Sequence, residues 1–262
     1  MTNPSLPIVV GAALLAGCGT TTIPSRIDTV NVQQVEVATA GTGGTATVVF
    51  ESGLGADWTP WDQVASEVSR ETRIFAYSRQ GYGASGPLTT SRNPKQVVEE
   101  LRSLLAYEGY APPYVLVGHS NGGGYMELFA KAHPDEVAGV VLVDPRHSDF
   151  LSECEAAELD LCGIPESTLR DQAPVVIAEY RAYPMMSDEA RVAGSFGSYP
   201  VRVLTSTVDG GSASRQALWE SLHASLAAEA PDGQQILVEG ATHYIQVDRP
   251  HVVAQTILSV LP

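Results

Sequence analysis

Apolar residues along this chain fall into two periods. Short runs rich in β-branched residues occur at 30–37, 45–50, 73–77, 114–117, 137–143, 201–205 and 234–238, and their length and composition predict strands. Between most of them, apolar positions recur every three or four residues over 61–69, 94–107, 123–132, 214–230 and 250–261, which predicts helices. Strands alternating with helices predict an α/β fold, a largely parallel sheet covered on both faces. The unbroken apolar runs at 115–117 and 140–143 suit strands buried on both sides. Residues 145–199 break this rhythm. They hold no apolar strand of comparable quality and carry Cys154, Cys162, Pro165, Pro174 and Pro184, so they read as a cap or lid inserted into a core of 30–144 plus 200–262.

Composition narrows the function classes. With 262 residues and 44% hydrophobic content, the chain can bury a sizeable core in one or two domains. Asp and Glu outnumber Lys and Arg by 30 to 15, a net charge of -15 that repels nucleic acid and suits neutral or cationic partners. No interior stretch is long enough to span a bilayer.

Residues 8–16 form an apolar run with the length of a secretory core segment, too short to cross a membrane. It ends in Leu15-Ala16-Gly17-Cys18, which resembles the lipobox of bacterial lipoproteins. That resemblance implies a signal peptide over 1–17, lipidation of Cys18, a polar tether over 18–29, and an exported protein held at the bacterial cell envelope by its lipid. No Lys or Arg lies in 1–17, unlike most signal peptides, and the competing reading is an apolar N-terminal strand with a chance cysteine. Cys154 and Cys162, eight positions apart, would close a small disulfide loop in an oxidising compartment; two free thiols are the alternative, and no nearby histidine favours a metal.

Where the run at 114–117 gives way to the helix, the chain reads Gly118-His119-Ser120-Asn121-Gly122, with Gly123 and Gly124 following. This is G-x-S-x-G in its strand-turn-helix context, where a serine on a strained turn needs neighbours almost free of side chains. The hydroxyl would stand at the positive end of a helix, where developing negative charge is stabilised.

From about residue 30 to the end, the chain resembles the α/β-hydrolase superfamily. The phrases that carry the likeness are FESGLGADWTPW, AYSRQGYGASG, VLVGHSNGGG, HPDEVAGVVLVDP, VRVLTSTVDG and GATHYIQVDRP. They look like the lid-bearing esterase, lipase and epoxide hydrolase branch. Epoxide hydrolases of that branch place aspartate at the turn, whereas Ser120 stands here, so the resemblance implies a serine hydrolase acting on acyl substrates. It also implies an eight-stranded-type sheet, and no metal or organic cofactor.

A serine hydroxyl needs a base, and His243, directly after the last strand-like run, sits where the family places its catalytic histidine. His119, His133, His223 and His251 fit structural or solvated roles, and His147 could overhang the site. The acid expected first is Asp209, after the penultimate strand, in the chain order Ser120, Asp209, His243. Asp144, before Pro145, is the alternative acid, since some relatives move the acid to that strand. Ser206, where relatives commonly carry glycine, is a departure in the loop leading to Asp209. The backbone N–H groups of Leu54 and Asn121 are the expected oxyanion hole. Arg79 could pair structurally. Met185, Met186, Phe196 and Tyr199 could line an acyl pocket or simply pack the insertion.

The expected activity is hydrolysis of small to medium carboxylic esters or lactones through an acyl-enzyme, with a small-molecule ester as the partner. Amide, peptide or carbon-carbon bond hydrolysis on the same triad is one alternative, and a non-catalytic surface-anchored binding protein is another.

Overall fold

The computed structural model describes residues 23–262 apart from Asn31 and Asp209; the expected signal segment 1–17, Cys18 and the first residues of the tether lie outside the described residues. The strand-like runs form one eight-stranded sheet: β1 (Ser25–Val30), β2 (Gln33–Ala40), β3 (Thr47–Glu51), β4 (Arg73–Ser78), β5 (Tyr114–His119), β6 (Val137–Val143), β7 (Pro200–Ser206) and β8 (Asp232–Val238). Their spatial order is β1-β2-β4-β3-β5-β6-β7-β8, with β1 and β2 antiparallel to their neighbours and every pairing from β4 to β8 parallel.

Among the described residues, ten α-helices accompany the sheet: α1 (Asp62–Val68), α2 (Pro94–Tyr107), α3 (Asn121–Ala132), α4 (Phe150–Ala156), α5 (Glu166–Leu169), α6 (Pro174–Ala182), α7 (Met185–Ala193), α8 (Ala213–Ala228), α9 (Ile245–Asp248) and α10 (Pro250–Ser259). Helix α2 begins where Asn93-Pro94 predicts. The Asn93 side chain accepts from the N–H groups of Lys95 and Gln96, and proline takes the first helical position, where its missing N–H is no loss.

Alternate residues of the central strands enter different layers. Tyr114 and Leu116 of β5 join a core with Val97 and Leu101 of α2, Met126 and Phe129 of α3, and Leu226 of α8. Val115 and Val117 join a second core with Val64 and Val68 of α1 and Val253 and Ile257 of α10. Burial on both faces explains the unbroken apolar runs. Because the six strands from β3 to β8 run parallel, their carboxyl ends, Glu51, Ser78, His119, Val143, Ser206 and Val238, lie along one edge, where ligands meet open α/β sheets.

Two expectations need correction. The single strand expected over 30–37 is a hairpin, and residues 25–29, expected as tether, form β1, paired from Ser25↔Ala38 to Val30↔Gln33. No glycine or proline marks this turn; Val32 makes it with φ 65°, a conformation a β-branched residue rarely adopts. The insertion carries four short helices, α4 to α7, joined by irregular segments. Of its apolar residues, Met186, Phe196 and Tyr199 are buried in the core with α3, so they pack the fold, while Met185 is exposed.

Cys154 and Cys162 are joined by a disulfide. Cys154 lies buried with Phe150 and with Trp219 and Leu222 of α8. Inside the closed loop, the Asp160 carboxylate accepts from Ser212 N–H and Oγ, the cap of α8. Replacing both cysteines by serine is expected to lower unfolding free energy by about 2.5 kcal/mol, from the chain entropy of a short loop. Urea denaturation of the double variant beside the oxidised protein checks this.

Candidate active site

Ser120 sits between β5 and α3 with φ 52° and ψ -120°, a conformation strained for any side chain but glycine. The glycines around it are explained by close approach. A Cβ on Gly118 would lie 2.5 Å from the Gly122 carbonyl oxygen, and one on Gly122 would lie 2.5 Å from the carbonyl oxygens of both Glu51 and Ser52. Ser120 N–H donates to Val143 O at 3.2 Å, and its carbonyl accepts from Gly123 N–H at 2.9 Å and Arg146 N–H at 3.0 Å. The turn is therefore pinned while its side chain, half-buried among fully buried neighbours, remains reachable.

His243 follows β8 on the loop before α9. Its Nδ1–H donates to Asp144 Oδ2 at 2.7 Å. This leaves Nε2 as the acceptor nitrogen, with the side chain 35% exposed. Behind the imidazole lies His119, whose Nε2–H donates to the His243 carbonyl at 2.9 Å and whose ring centroid is 4.7 Å from that of His243. The strand that carries Ser120 thus also holds the loop that carries His243. Among the described residues no hydrogen bond joins Ser120 Oγ to Nε2, a bond that commonly tightens only around substrate.

The carboxylate on His243 is Asp144. It is the alternative acid of the sequence reading; Asp209, expected first, lies outside the described residues. Asp144 directly follows β6, with φ 44°, and is 1% exposed. Its Oδ1 accepts from Ser206 N–H at 2.7 Å and Trp219 Nε1–H at 3.0 Å, and its Oδ2 from Ser206 Oγ at 2.9 Å and His243. Burial pushes this carboxyl up, but the His243 hydrogen bond and charge, His223 and the Ser206 N–H outweigh it and bring it down to about 2. Ser206 and Trp219 were missed as partners. The visible signal was serine where relatives carry glycine, since that hydroxyl is one of the four donors.

Two neutral histidines support the site. His223 Nε2–H donates to Pro145 O at 2.7 Å and its Nδ1 accepts from Thr205 Oγ1 at 2.8 Å. Burial lowers its pKa to about 4, and burial with the neighbouring charge on His243 lowers that of His119 to about 3. An unfolded histidine titrates near 6.5, so below that pH the unfolded chain binds protons that the folded chain refuses. The stability is fully present above pH 6.5 and is lost as pH falls toward 4, at about 1.4 kcal/mol per pH unit for each histidine. Urea midpoints are expected to fall across that window, and His223→Gln is expected to flatten the slope by one proton.

The N–H of Asn121, first residue of α3, and that of Leu54, after β3, have no hydrogen-bond partner among the described residues. Gly53 brings the two loops together, since a Cβ there would lie 2.9 Å from His119 Nδ1 and 3.2 Å from Ser120 Cβ. Two unpaired main-chain donors beside a strained serine can hold an oxyanion.

The chain belongs to the alpha/beta hydrolase family, whose model matches residues 48–256. It is 29% identical over 217 residues to the uncharacterized protein YqjL of Bacillus subtilis (strain 168), covering 82% of this chain and 83% of that one. It is 30% identical over 128 residues to a monoacylglycerol lipase of Mycolicibacterium smegmatis, covering 43% of this chain and 46% of the lipase. An epoxide hydrolase from Vigna radiata shares the fold, with a TM-score of 0.65 at 16% identity, covering 90% of this chain and 97% of that one.

Proposed function

We propose that this protein is a serine hydrolase that cleaves small to medium carboxylic esters through an acyl-enzyme. The observation that carries the reading is the His243 imidazole, fixed by a buried carboxylate at Nδ1, beside a serine held in the strained turn. Asp144 sets the tautomer, so Nε2 is unprotonated and able to take the Ser120 proton as Oγ attacks the ester carbonyl. The carbonyl electrons move to oxygen, which accepts from the N–H groups of Leu54 and Asn121. Imidazolium, stabilised by Asp144, returns its proton to the leaving alcohol. Water, activated by the same nitrogen, then attacks the acyl-enzyme and frees the acid and the serine.

Family membership and the resemblance to a lipase over part of the chain support hydrolysis, and the serine at position 120 supports acyl chemistry. A series of p-nitrophenyl esters of increasing acyl length tests the substrate class, and a fluorophosphonate tests the nucleophile. The expected results are turnover that favours short and medium chains and a mass increase on the peptide containing Ser120. A wild-type protein that neither hydrolyses any ester of the series nor accepts the label would overturn the reading.

A further inference from the structure

The Arg79 guanidinium has 2% side-chain exposure and uses all five of its N–H donors inside the protein. Nε and Nη2 donate to Glu179 Oε1 and Oε2, each at 2.9 Å. Nη1 donates to Glu51 Oε1 at 2.5 Å and to Ser52 O at 2.6 Å. The remaining Nη2 hydrogen goes to Gly53 O at 3.0 Å. Tyr82 completes the set: its hydroxyl donates to Glu179 Oε2 at 3.0 Å and accepts from Gly55 N–H at 3.3 Å. The backbone is thus pinned on both sides of Leu54, by Arg79 before it and Tyr82 after it, both buried.

The Gly53 carbonyl and the Leu54 N–H belong to one trans peptide unit, in which C=O and N–H lie in a plane and point in opposite directions. Holding the oxygen against Arg79 therefore sets the direction of the hydrogen. A cation on the carbonyl also polarises the unit and strengthens its N–H as a donor. We infer that Arg79 is a positioning residue for the oxyanion hole, aiming and polarising the Leu54 peptide, and that Glu179 of α6 holds the guanidinium in place. The inference rests on the serine-hydrolase reading, in which Leu54 N–H meets the oxyanion. Lysine cannot replace arginine here, because an ammonium has three donors and no planar fork.

The test compares wild type, Arg79→Lys and Tyr82→Phe on a p-nitrophenyl ester. It adds two inhibitors of matched shape: a trifluoromethyl ketone, which forms a tetrahedral oxyanion on serine, and the corresponding amide, which does not. Arg79→Lys is expected to lower kcat about 10- to 100-fold with KM little changed, and to weaken the ketone by the same factor while sparing the amide. An unchanged kcat, or equal weakening of ketone and amide, would overturn the inference. Should Arg79→Lys fail to fold, Tyr82→Phe decides: a smaller loss confined to kcat and the ketone supports it, and an unchanged kcat overturns it. The Leu54 amide resonance separates this inference from the reading beneath it. If Ser120→Ala hydrolyses as fast as wild type, the serine reading falls, while an amide shift in Arg79→Lys still supports the orientation and an unmoved one refutes it.

Discussion

Ser120→Ala is expected to lower kcat on its best ester by about 10⁴- to 10⁶-fold, the range seen when the nucleophile of a serine triad is removed. The residue is partly exposed and its side chain makes no hydrogen bond among the described residues, so the change leaves the fold intact. What remains is the catalysis that two N–H donors and substrate binding provide without a covalent step. Initial rates on protein with unchanged circular dichroism measure this effect. A variant that kept a tenth of the wild-type rate would exclude Ser120 as the attacking group.

Asp144→Asn is expected to lower kcat by about 10⁴-fold, whereas Asp209→Asn leaves it near wild type. Four donors converge on the two Asp144 oxygens: Ser206 N–H and Oγ, Trp219 Nε1 and His243 Nδ1. An asparagine amide must turn its NH₂ toward one of those pairs. If it faces His243, the imidazole carries its proton on Nε2, the wrong nitrogen for a base. If it faces Ser206 N–H and Trp219, two buried donors lose their acceptor. Both arrangements also remove the charge that stabilises the imidazolium. Rates of the two variants on one ester separate the candidate acids, and equal activities would remove Asp144 from that role.

The choice between these aspartates marks where sequence patterning stopped. Ser120 and His243 were legible because a glycine cluster at a strand-to-helix junction and a histidine after the last strand follow from local rules. The carboxylate that meets His243 was not, because in the sequence both aspartates follow a strand-like run and precede the histidine in chain order. What separates them is the convergence of Ser206, Trp219 and His243, residues 62, 75 and 99 positions away from Asp144. Periodicity resolved the central strands and the long helices, where burial on both faces or on one stripe leaves a strong pattern. It missed the first hairpin, whose turn runs through a valine with positive φ. It also missed α4 to α7, because they are short and α5 is a single turn.

The ion pair between Arg79 and Glu179 joins the sheet edge to the inserted helices at 2% and 0% side-chain exposure. Swinging α6 away would leave a guanidinium and a carboxylate without each other in a dry interior, a separation that costs about 3 to 5 kcal/mol. Helix α6 is accordingly clamped to the rim of the sheet, and any motion of the insertion that parted this pair would carry that cost.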